Sequence, residues 1–139
     1  MSPEAARERF ATAAHALLAT ADRDGAPHIV PIVFVLARET IYNAVDRKPK
    51  RTTSLRRVHN VLENSRVAVL AEHYSDDWAQ LWWVRAEGHA RVIEAGGAEG
   101  AAALGLLSAR YAPYREAPPP GPLLAIDVAR WSGWEASAG

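Results

Sequence analysis

A chain of 139 residues with 49% hydrophobic content and no cysteine can bury one core, and it excludes disulfides, thiolate catalysis and cysteine-bound metals. The 16 basic and 16 acidic side chains cancel, which disfavours a general nucleic-acid-binding role. No apolar run reaches the ~20 residues of a membrane span, and the N-terminal segment lacks a signal-peptide core. We therefore expect one domain, residues 1–139, in a cytoplasmic protein without a nucleic-acid or membrane partner.

Hydrophobic spacing and turn residues divide the chain into strands and helices. Strands outnumber helices, and the helices fall in the connections, which predicts a mainly β fold built as an antiparallel barrel. In chain order the predictions are a helix over 3–14, strands over 15–21, 28–36 and 40–45, a helix over 53–64, strands over 66–73 and from Trp78 or Leu81 to Glu94, a helix over 99–111, a proline-rich loop over 114–122, and a strand over 123–131.

Two of the predicted strands carry distinctive patterns. Residues 28–36 read HIVPIVFVL, and a run this apolar predicts a strand buried on both faces. Pro31 cannot donate to a ladder, so the strand must have an edge or a bulge there. The long strand that ends at Glu94 alternates small apolar residues with charged ones, and its small inner side chains suit a tightly curved barrel.

A basic stretch, Arg47-Lys48-Pro49-Lys50-Arg51, lies between a predicted strand and a predicted helix. Residues 47–57 hold six basic side chains and no acid, whereas the rest of the chain holds 10 basic against 16 acidic ones. Helix N-termini attract phosphate, and Lys48, Lys50, Arg51 and the Thr52 hydroxyl add donors there. The alternatives are a solvated basic face beside a capped helix and, less favoured, a nucleic-acid patch without stacking aromatics.

Several segments carry a family resemblance that extends from about Phe10 to Trp134. The strand IYNAVD followed by RKPKRT, then NSRVAVL, DDWAQLWWVRAEGHARVIE and the ending PPPGPLLAIDVARWSGW resemble the pyridoxamine 5′-phosphate oxidase-like superfamily. More closely, they look like its actinobacterial branch of probable coenzyme F420-dependent enzymes. That resemblance implies a six-stranded antiparallel split β-barrel of the FMN-binding type, forming a homodimer with two cofactor sites at the subunit interface.

The resemblance also implies roles for individual residues. Two strand segments would flank the cofactor ring, the basic stretch would bind its phosphate or acidic tail, and two tryptophans would close the site from the partner subunit. The implied cofactor-binding residues are Val30, Pro31, Ile32, Val33, Tyr42, Asn43, Ala44, Val45, Lys48, Lys50, Arg51, Thr52, Trp78 and Trp82.

The resemblance further implies an oxidoreductase that moves a hydride between coenzyme F420 and a small organic substrate. An FMN-dependent oxidase or reductase of the same fold and a non-enzymatic F420 carrier are the alternatives. No side chain is predicted to be catalytic, and the proton would come from solvent, Tyr42 or Tyr74. The ending Trp131–Trp134 lacks the arginine-rich motif of the vitamin B6 oxidases, so oxidation of vitamin B6 is not expected.

Other polar residues carry weaker predictions. The five histidines form no HxH or HExxH pair, so no metal site is expected. His73 could face an active site, although a strand-end histidine satisfied by its neighbours is favoured. Asp76 and Asp77 are expected to shape the turn before the long strand rather than to act as a catalytic pair. Trp83 and Trp131 are expected in the core or in a dimer interface.

Overall fold

The computed structural model describes residues 1–45 and 51–137, without the side chains of residues 51–55. Within these ranges strands predominate, and helices occupy the N-terminus and three of the connections. The elements are α1 (Pro3–Thr12), β1 (Ala16–Ala21), β2 (Pro27–Ile32), β3 (Val35–Ala37), β4 (Thr40–Ala44), α2 (Arg51–Glu63), β5 (Arg66–His73), a short 3₁₀ turn (Trp78–Gln80), β6 (Trp82–Ile93), α3 (Ala98–Arg110), α4 (Ala112–Glu116) and β7 (Leu123–Glu135).

The strands form one antiparallel sheet in the order β2-β1-β5-β6-β7-β4-β3. Strands β2 and β3 lie at opposite ends of this order, yet only Val33 and Phe34 separate them along the chain. Because so short a link spans only about 10 Å, the two ends of the sheet must come together. The open sheet therefore curls towards a barrel, and the corner at Val33–Phe34 is the place where it bends.

The predicted strand over 28–36 is the main error in the sequence-based assignment. It divides into β2 and β3, so the described chain has seven strands instead of six. Burial on both faces is also wrong, because Ile29 and Pro31 point outward and are exposed while Val30 and Ile32 are buried. The hydrophobic run signalled burial correctly for one face only. The prediction for Pro31 is confirmed, since β2 is an end strand.

Strand β6 is the centre of the sheet and shows the predicted alternation. Val84, Ala86 and Ala90 are buried on the inner face, and charged residues occupy the other face. A bulge between Glu87 and Gly88 interrupts its pairing with β7. A Cβ on Gly88 would lie 2.1 Å from the Asp127 carbonyl oxygen, so only glycine permits this approach.

The C-terminal part of the chain departs from the prediction at two places. The proline-rich loop is preceded by the short helix α4, which ends at Glu116. Strand β7 continues to Glu135 instead of stopping near Trp131, because β6 is long enough to pair with it as far as the Trp82–Glu135 pair.

Aromatic side chains hold α1 against the barrel. The Phe10 ring lies 4.5 Å from that of Phe34 and 5.3 Å from that of Trp131, measured between centroids. Phe10 and Phe34 are fully buried and Trp131 is nearly so, as predicted for Trp131; Trp83 is only half-buried. A second apolar cluster lies beneath α3 and includes Leu107. The corner at Phe34 is therefore packed from the inside of the barrel.

Candidate functional site

The two strand segments expected to flank a cofactor ring meet in the structure. The Asn43 side-chain amide on β4 donates to the Val33 carbonyl at 3.1 Å and to the Ala44 carbonyl at 3.3 Å. Asn43 is almost fully buried, so these hydrogen bonds are shielded from water and rigid. The junction of Asn43 with Val33 joins the end of β4 to the corner between β2 and β3.

The side chains of these segments mostly face the core. Val30, Ile32, Ala44 and Val45 are buried, whereas Pro31 is exposed. A ligand at this corner would therefore meet backbone groups and Pro31 rather than the aliphatic side chains. The sequence could not show which way each side chain points.

Strand β2 supplies a free backbone edge next to the corner. It pairs with β1 only, so along its other edge the N–H and C=O groups form no ladder within the described residues. A flavin or deazaflavin pyrimidine ring presents C=O, N–H and C=O groups in a row along one edge. Pro31 has no N–H, so the edge of β2 near the corner offers mainly carbonyl acceptors, to which the N–H group of such a ring could donate.

The C-terminal end of α3 holds the corner in place through Arg110 and the residue after it, Tyr111, neither of which was predicted from the sequence. The Arg110 guanidinium donates to the Phe34 carbonyl at 2.7 Å and to the Ala13 carbonyl, and it lies 4.9 Å from the Phe34 ring centroid. The Tyr111 hydroxyl accepts from the Phe34 N–H at 3.2 Å and lies 3.0 Å from its carbonyl. Because both residues are far from Phe34 along the chain, no local sequence pattern indicates these contacts.

Tyr42 faces away from the corner into a charged cluster. Its hydroxyl donates to Glu99 at 2.6 Å, and burial together with this hydrogen bond raises the pKa of Tyr42 to about 12. Arg91 binds Glu99 through two hydrogen bonds of 3.0 Å each and also binds Asp127. Hydrogen bonds from Arg91 and Tyr42 lower the pKa of Glu99 to about 2. Tyr42 is thus a weak acid engaged in fixing α3 to the sheet.

The basic stretch can be followed only in part. Lys48 and Lys50 lie outside the described residues, and Arg51 and Thr52 begin α2, where only the backbone is described. Burial lowers the pKa of His28 on β2. The positive charges of Arg56 and Arg57, which lie farther along α2, lower it further. The positive charge of α2 therefore acts on β2.

The loop after β5 does not bring its aromatic residues to the corner of the same chain. Trp78 is 76% exposed. Trp82 stacks on His73 at 6.2 Å between ring centroids and carries the Arg9 guanidinium 4.9 Å above its ring. Asp77 accepts a hydrogen bond from the Ala79 N–H, so it shapes the turn as predicted. His73 is accordingly a strand-end histidine in contact with a neighbour.

Neither a cluster of metal-ligating side chains nor a membrane-spanning helix is found among the residues that the structure describes. No group of three or more His, Cys, Asp or Glu residues within 1–45 and 51–137 is arranged to hold a metal ion. None of the described helices combines the length and the apolar character that a membrane crossing requires.

The family profile of pyridoxamine 5′-phosphate oxidase matches residues 2–135, nearly the whole chain. The chain belongs to the pyridoxamine 5′-phosphate oxidase family. No curated protein is significantly similar to it in sequence. Membership in this family agrees with the mainly β antiparallel sheet and with the superfamily resemblance of the sequence.

Solved structures share the fold of this pyridoxamine 5′-phosphate oxidase family member at low sequence identity. A FAD-binding protein from Mesorhizobium loti is 18% identical, with 99% of this chain and 96% of that chain covered and a TM-score of 0.75. A heme storage protein from Vibrio cholerae is 14% identical, with coverages of 97% and 95% and a TM-score of 0.73. A FAD-binding protein from Mycobacterium smegmatis is 20% identical, with coverages of 96% and 94% and a TM-score of 0.61. At these identities the comparisons establish the fold alone.

Proposed function

We propose that this family member is a coenzyme F420-dependent oxidoreductase that transfers a hydride between the deazaflavin and a small organic substrate. The observation that carries the proposal is the junction of Asn43 with Val33, which lies beside the free edge of β2. The same strand β4 leads directly into the basic stretch at residues 47–51. A ring site and an anion site thus adjoin along the chain, as a phosphorylated ring cofactor requires.

The chain's own residues would bind and orient the cofactor. The β2 edge at Val30–Val33 would hold the ring through backbone hydrogen bonds, and the junction at Asn43 keeps that edge rigid. Lys48, Lys50 and Arg51 would hold the phosphate and acidic tail as charge-assisted donors. The bound deazaflavin supplies the carbon that accepts or gives the hydride.

The proton source follows from the environment of the two candidate tyrosines. Because the Tyr42 hydroxyl is bound to Glu99 and its pKa is raised to about 12, Tyr42 holds its proton tightly. Tyr74 is 78% exposed, in the loop that follows β5, so it is surrounded by solvent. These observations favour solvent as the proton source and leave positioning as the task of the protein.

A homodimer is part of the proposal, since the outer face of the sheet has features of an interface. Ile29 on this face is 62% exposed. Arg85 Nε and Ser132 Oγ, on directly opposed residues of β6 and β7, are buried and have no hydrogen-bond partner within the described chain, although Arg85 Nε lies 3.7 Å from a Glu87 carboxylate oxygen. A second copy would cover Ile29 and offer partners to the two polar atoms. Trp78 of the second copy would then be available to close the site.

Titration of the purified protein with F420, FMN, FAD and heme, followed by tryptophan fluorescence and ligand absorbance, tests the cofactor. We expect F420 to bind most tightly, and hydride transfer is then assayed on a panel of enones, quinones and nitro compounds. Preferential binding of FMN, FAD or heme would overturn the F420 assignment. Tight F420 binding without turnover across the panel would indicate a carrier.

Single variants test whether the basic stretch binds the phosphate and acidic tail of the cofactor. Lys50→Ala and Arg51→Ala should each weaken F420 binding about tenfold, because each removes one charge-assisted hydrogen bond of ~1.5 kcal/mol. They should also reduce its salt dependence. Arg66→Ala, which removes an exposed charge at the start of β5, is the matched control and should leave the affinity unchanged. Equal affinities for all three variants would show that residues 50 and 51 do not bind the cofactor.

A further inference from the structure

The end of β2 farthest from the junction of Asn43 with Val33 lies beside α2. The helix is fixed to the sheet here, because the Asn60 amide donates to the Thr20 hydroxyl of β1 at 3.0 Å and both residues are buried. His28 of β2 is paired directly with Thr20 in the sheet. Directly paired residues lie on the same face of a sheet, with Cβ atoms about 5 Å apart. The His28 ring is therefore next to the point where α2 touches the sheet.

The face of α2 that touches the sheet also carries two arginines. Arg56 and Arg57 precede Asn60 by four and three residues, which puts them one turn earlier on the face that Asn60 presents to the sheet. Arg57 is 6% exposed, as expected of a side chain directed inward. The charges of both arginines act on His28. The surroundings of His28 are therefore electropositive even while its ring is neutral.

The His28 ring lacks an acceptor for a proton on its inner nitrogen. Nδ1 is buried and has no hydrogen-bond partner among the described residues. A protonated imidazole carries an N–H group at both ring nitrogens, so protonation would create a buried donor without an acceptor. It would also add a third positive charge beside Arg56 and Arg57. Burial and then these two charges accordingly lower the pKa of His28 from its ordinary value of 6.5.

The other charged groups around this contact do not offset the two arginines. Strand β1 contains no titratable residue. In the turn between β1 and β2, the Asp22 carboxylate accepts backbone hydrogen bonds of its own turn and feels the charge of Arg56. Farther along α2, His59 and Glu63 lie 3.4 Å apart and pair with each other. Among the described residues no carboxylate contributes to the shift at His28.

We propose that the contact between His28 and α2 is a pH-sensitive latch, in which protonation of His28 releases α2 from the sheet. The neutral ring packs beside the helix, whereas the charged ring gains water as an acceptor and distance from the arginines only when the helix moves away. Since α2 begins at Arg51, within the basic stretch, its release would also displace that stretch. Anion binding there would then weaken in acid, a consequence that, unlike the latch itself, rests on the function proposed above.

The direction of the effect depends on which form of His28 the docked helix accepts. The pKa of His28 has its ordinary value of 6.5 when the helix is released and is lower when the helix is docked. His28 therefore supports docking fully above pH 6.5, and this support is lost as the pH falls through the lower value. Because one proton is involved, the population with α2 released can rise by no more than about 30-fold between pH 7 and pH 5.

Hydrogen exchange of the full-length chain measures the latch. Exchange of individual backbone amides is followed by NMR from pH 7 to pH 5 and corrected for the intrinsic pH dependence of amide exchange. We expect the amides of α2 to lose protection severalfold, within the limit of about 30-fold, while those of β6 and β7 keep theirs. Over the same range the ring proton resonances of His28 should titrate below pH 6.5.

Two variants assign the effect to His28. His28→Gln removes the titratable ring and keeps a polar side chain, so protection of α2 should no longer change between pH 7 and pH 5. His15→Gln removes an exposed histidine before β1 and is the matched control, which should behave like the parent chain. Each chain is compared with its own protection at pH 7, so a uniform loss of stability in His28→Gln does not affect the result.

Three results would overturn the proposal. One is unchanged protection of α2 in the parent chain between pH 7 and pH 5. The second is the same pH dependence in His28→Gln as in the parent chain, which would assign it to another group. The third is a His28 ring that titrates at or above pH 6.5. None of these measurements involves a cofactor, so failure of the latch is distinguishable from failure of the proposed function.

Discussion

The two long helices that flank the barrel differ in how the polar groups around them are satisfied. On the α3 side, Arg91 links Glu99 to Asp127, and Tyr42 adds a third hydrogen bond to the cluster. On the α2 side, Asn60 and His28 each have a buried polar atom without a partner in the described chain. The ion-paired cluster beside α3 therefore contributes to stability, whereas Asn60 and His28 on the α2 side leave hydrogen-bonding capacity unused, as does the Asn43 Oδ1 atom at the corner.

This difference indicates where binding should be expected. A network in which each group has a partner rigidifies a structure, and groups without partners reduce stability unless something else binds them. The proposed cofactor corner draws on this second property. It has a free strand edge and the unpartnered Asn43 Oδ1 atom, while the end of α3 holds it from behind through Arg110 and the next residue, Tyr111.

The largest effect should come from Gly100 on α3. A Cβ there would lie 1.9 Å from the Glu94 carbonyl oxygen, so Gly100→Ala should lower the free energy of unfolding by about 3 kcal/mol. Gly105→Ala on the same helix has open space around the new Cβ and should raise that energy by ~0.5–1 kcal/mol. Urea denaturation measures both. Equal signs for the two variants would contradict the close packing of α3 on the Glu94 turn.

Arg110 tests whether α3 holds the corner. Arg110→Ala removes donors from the Phe34 and Ala13 carbonyls, so it should destabilise the protein by about 2 kcal/mol. It should also weaken cofactor binding, measured by fluorescence titration, because the corner loses its fixed position. Arg110→Lys, which keeps the charge but not the two-pronged geometry, should recover only part of the stability. Full recovery of stability in Arg110→Lys would show that only the positive charge of Arg110 matters, and not its hydrogen-bonding geometry.

The charged cluster on the α3 side predicts a defined pH dependence. Hydrogen bonds from Arg91 and then Tyr42 lower the pKa of Glu99 from 4.5 to about 2, so its contribution is complete above pH 4.5 and is lost as the pH falls towards 2. Burial and the bond to Glu99 raise the pKa of Tyr42 from 10.0 to about 12, so that contribution is complete below pH 10 and is lost as the pH rises through 12.

Glu99→Gln isolates this dependence. The stability difference between the parent chain and the variant, measured by urea denaturation across the pH range, should shrink at both extremes. A difference that stays constant from pH 2 to pH 7 would show that Glu99 titrates at the same pH in the folded and unfolded chain.

The smallest effect is expected on the α2 side. The double variant Thr20→Val with Asn60→Leu replaces a buried hydrogen-bonded pair by apolar side chains of similar shape, so stability should change by less than about 1 kcal/mol. A loss of several kcal/mol would mean that these polar groups serve the fold and would remove the contrast between the two flanks.

The sequence predicted the helices and strands better than it predicted which way their side chains point and which residues those side chains contact. Period-two spacing correctly placed Val84, Ala86 and Ala90 inside, because their alternation is local. The division of 28–36 into two strands escaped prediction, since the corner at Phe34 is held by residues of α3 far along the chain. Similarly, Tyr42 lay in a predicted site segment, but its engagement with Glu99 depends on where α3 packs.

What the sequence alone determined was the family, the strand-rich class and the location of positive charge, since motifs, hydrophobic period and composition are properties of neighbouring residues. Only the tertiary structure decided which hydrogen-bonding groups are satisfied. Whether Asn43 reaches Val33, or whether Asn60 is left with a free oxygen, depends on contacts between distant segments. Those contacts form when the curled sheet and its helices pack, and no local pattern encodes them.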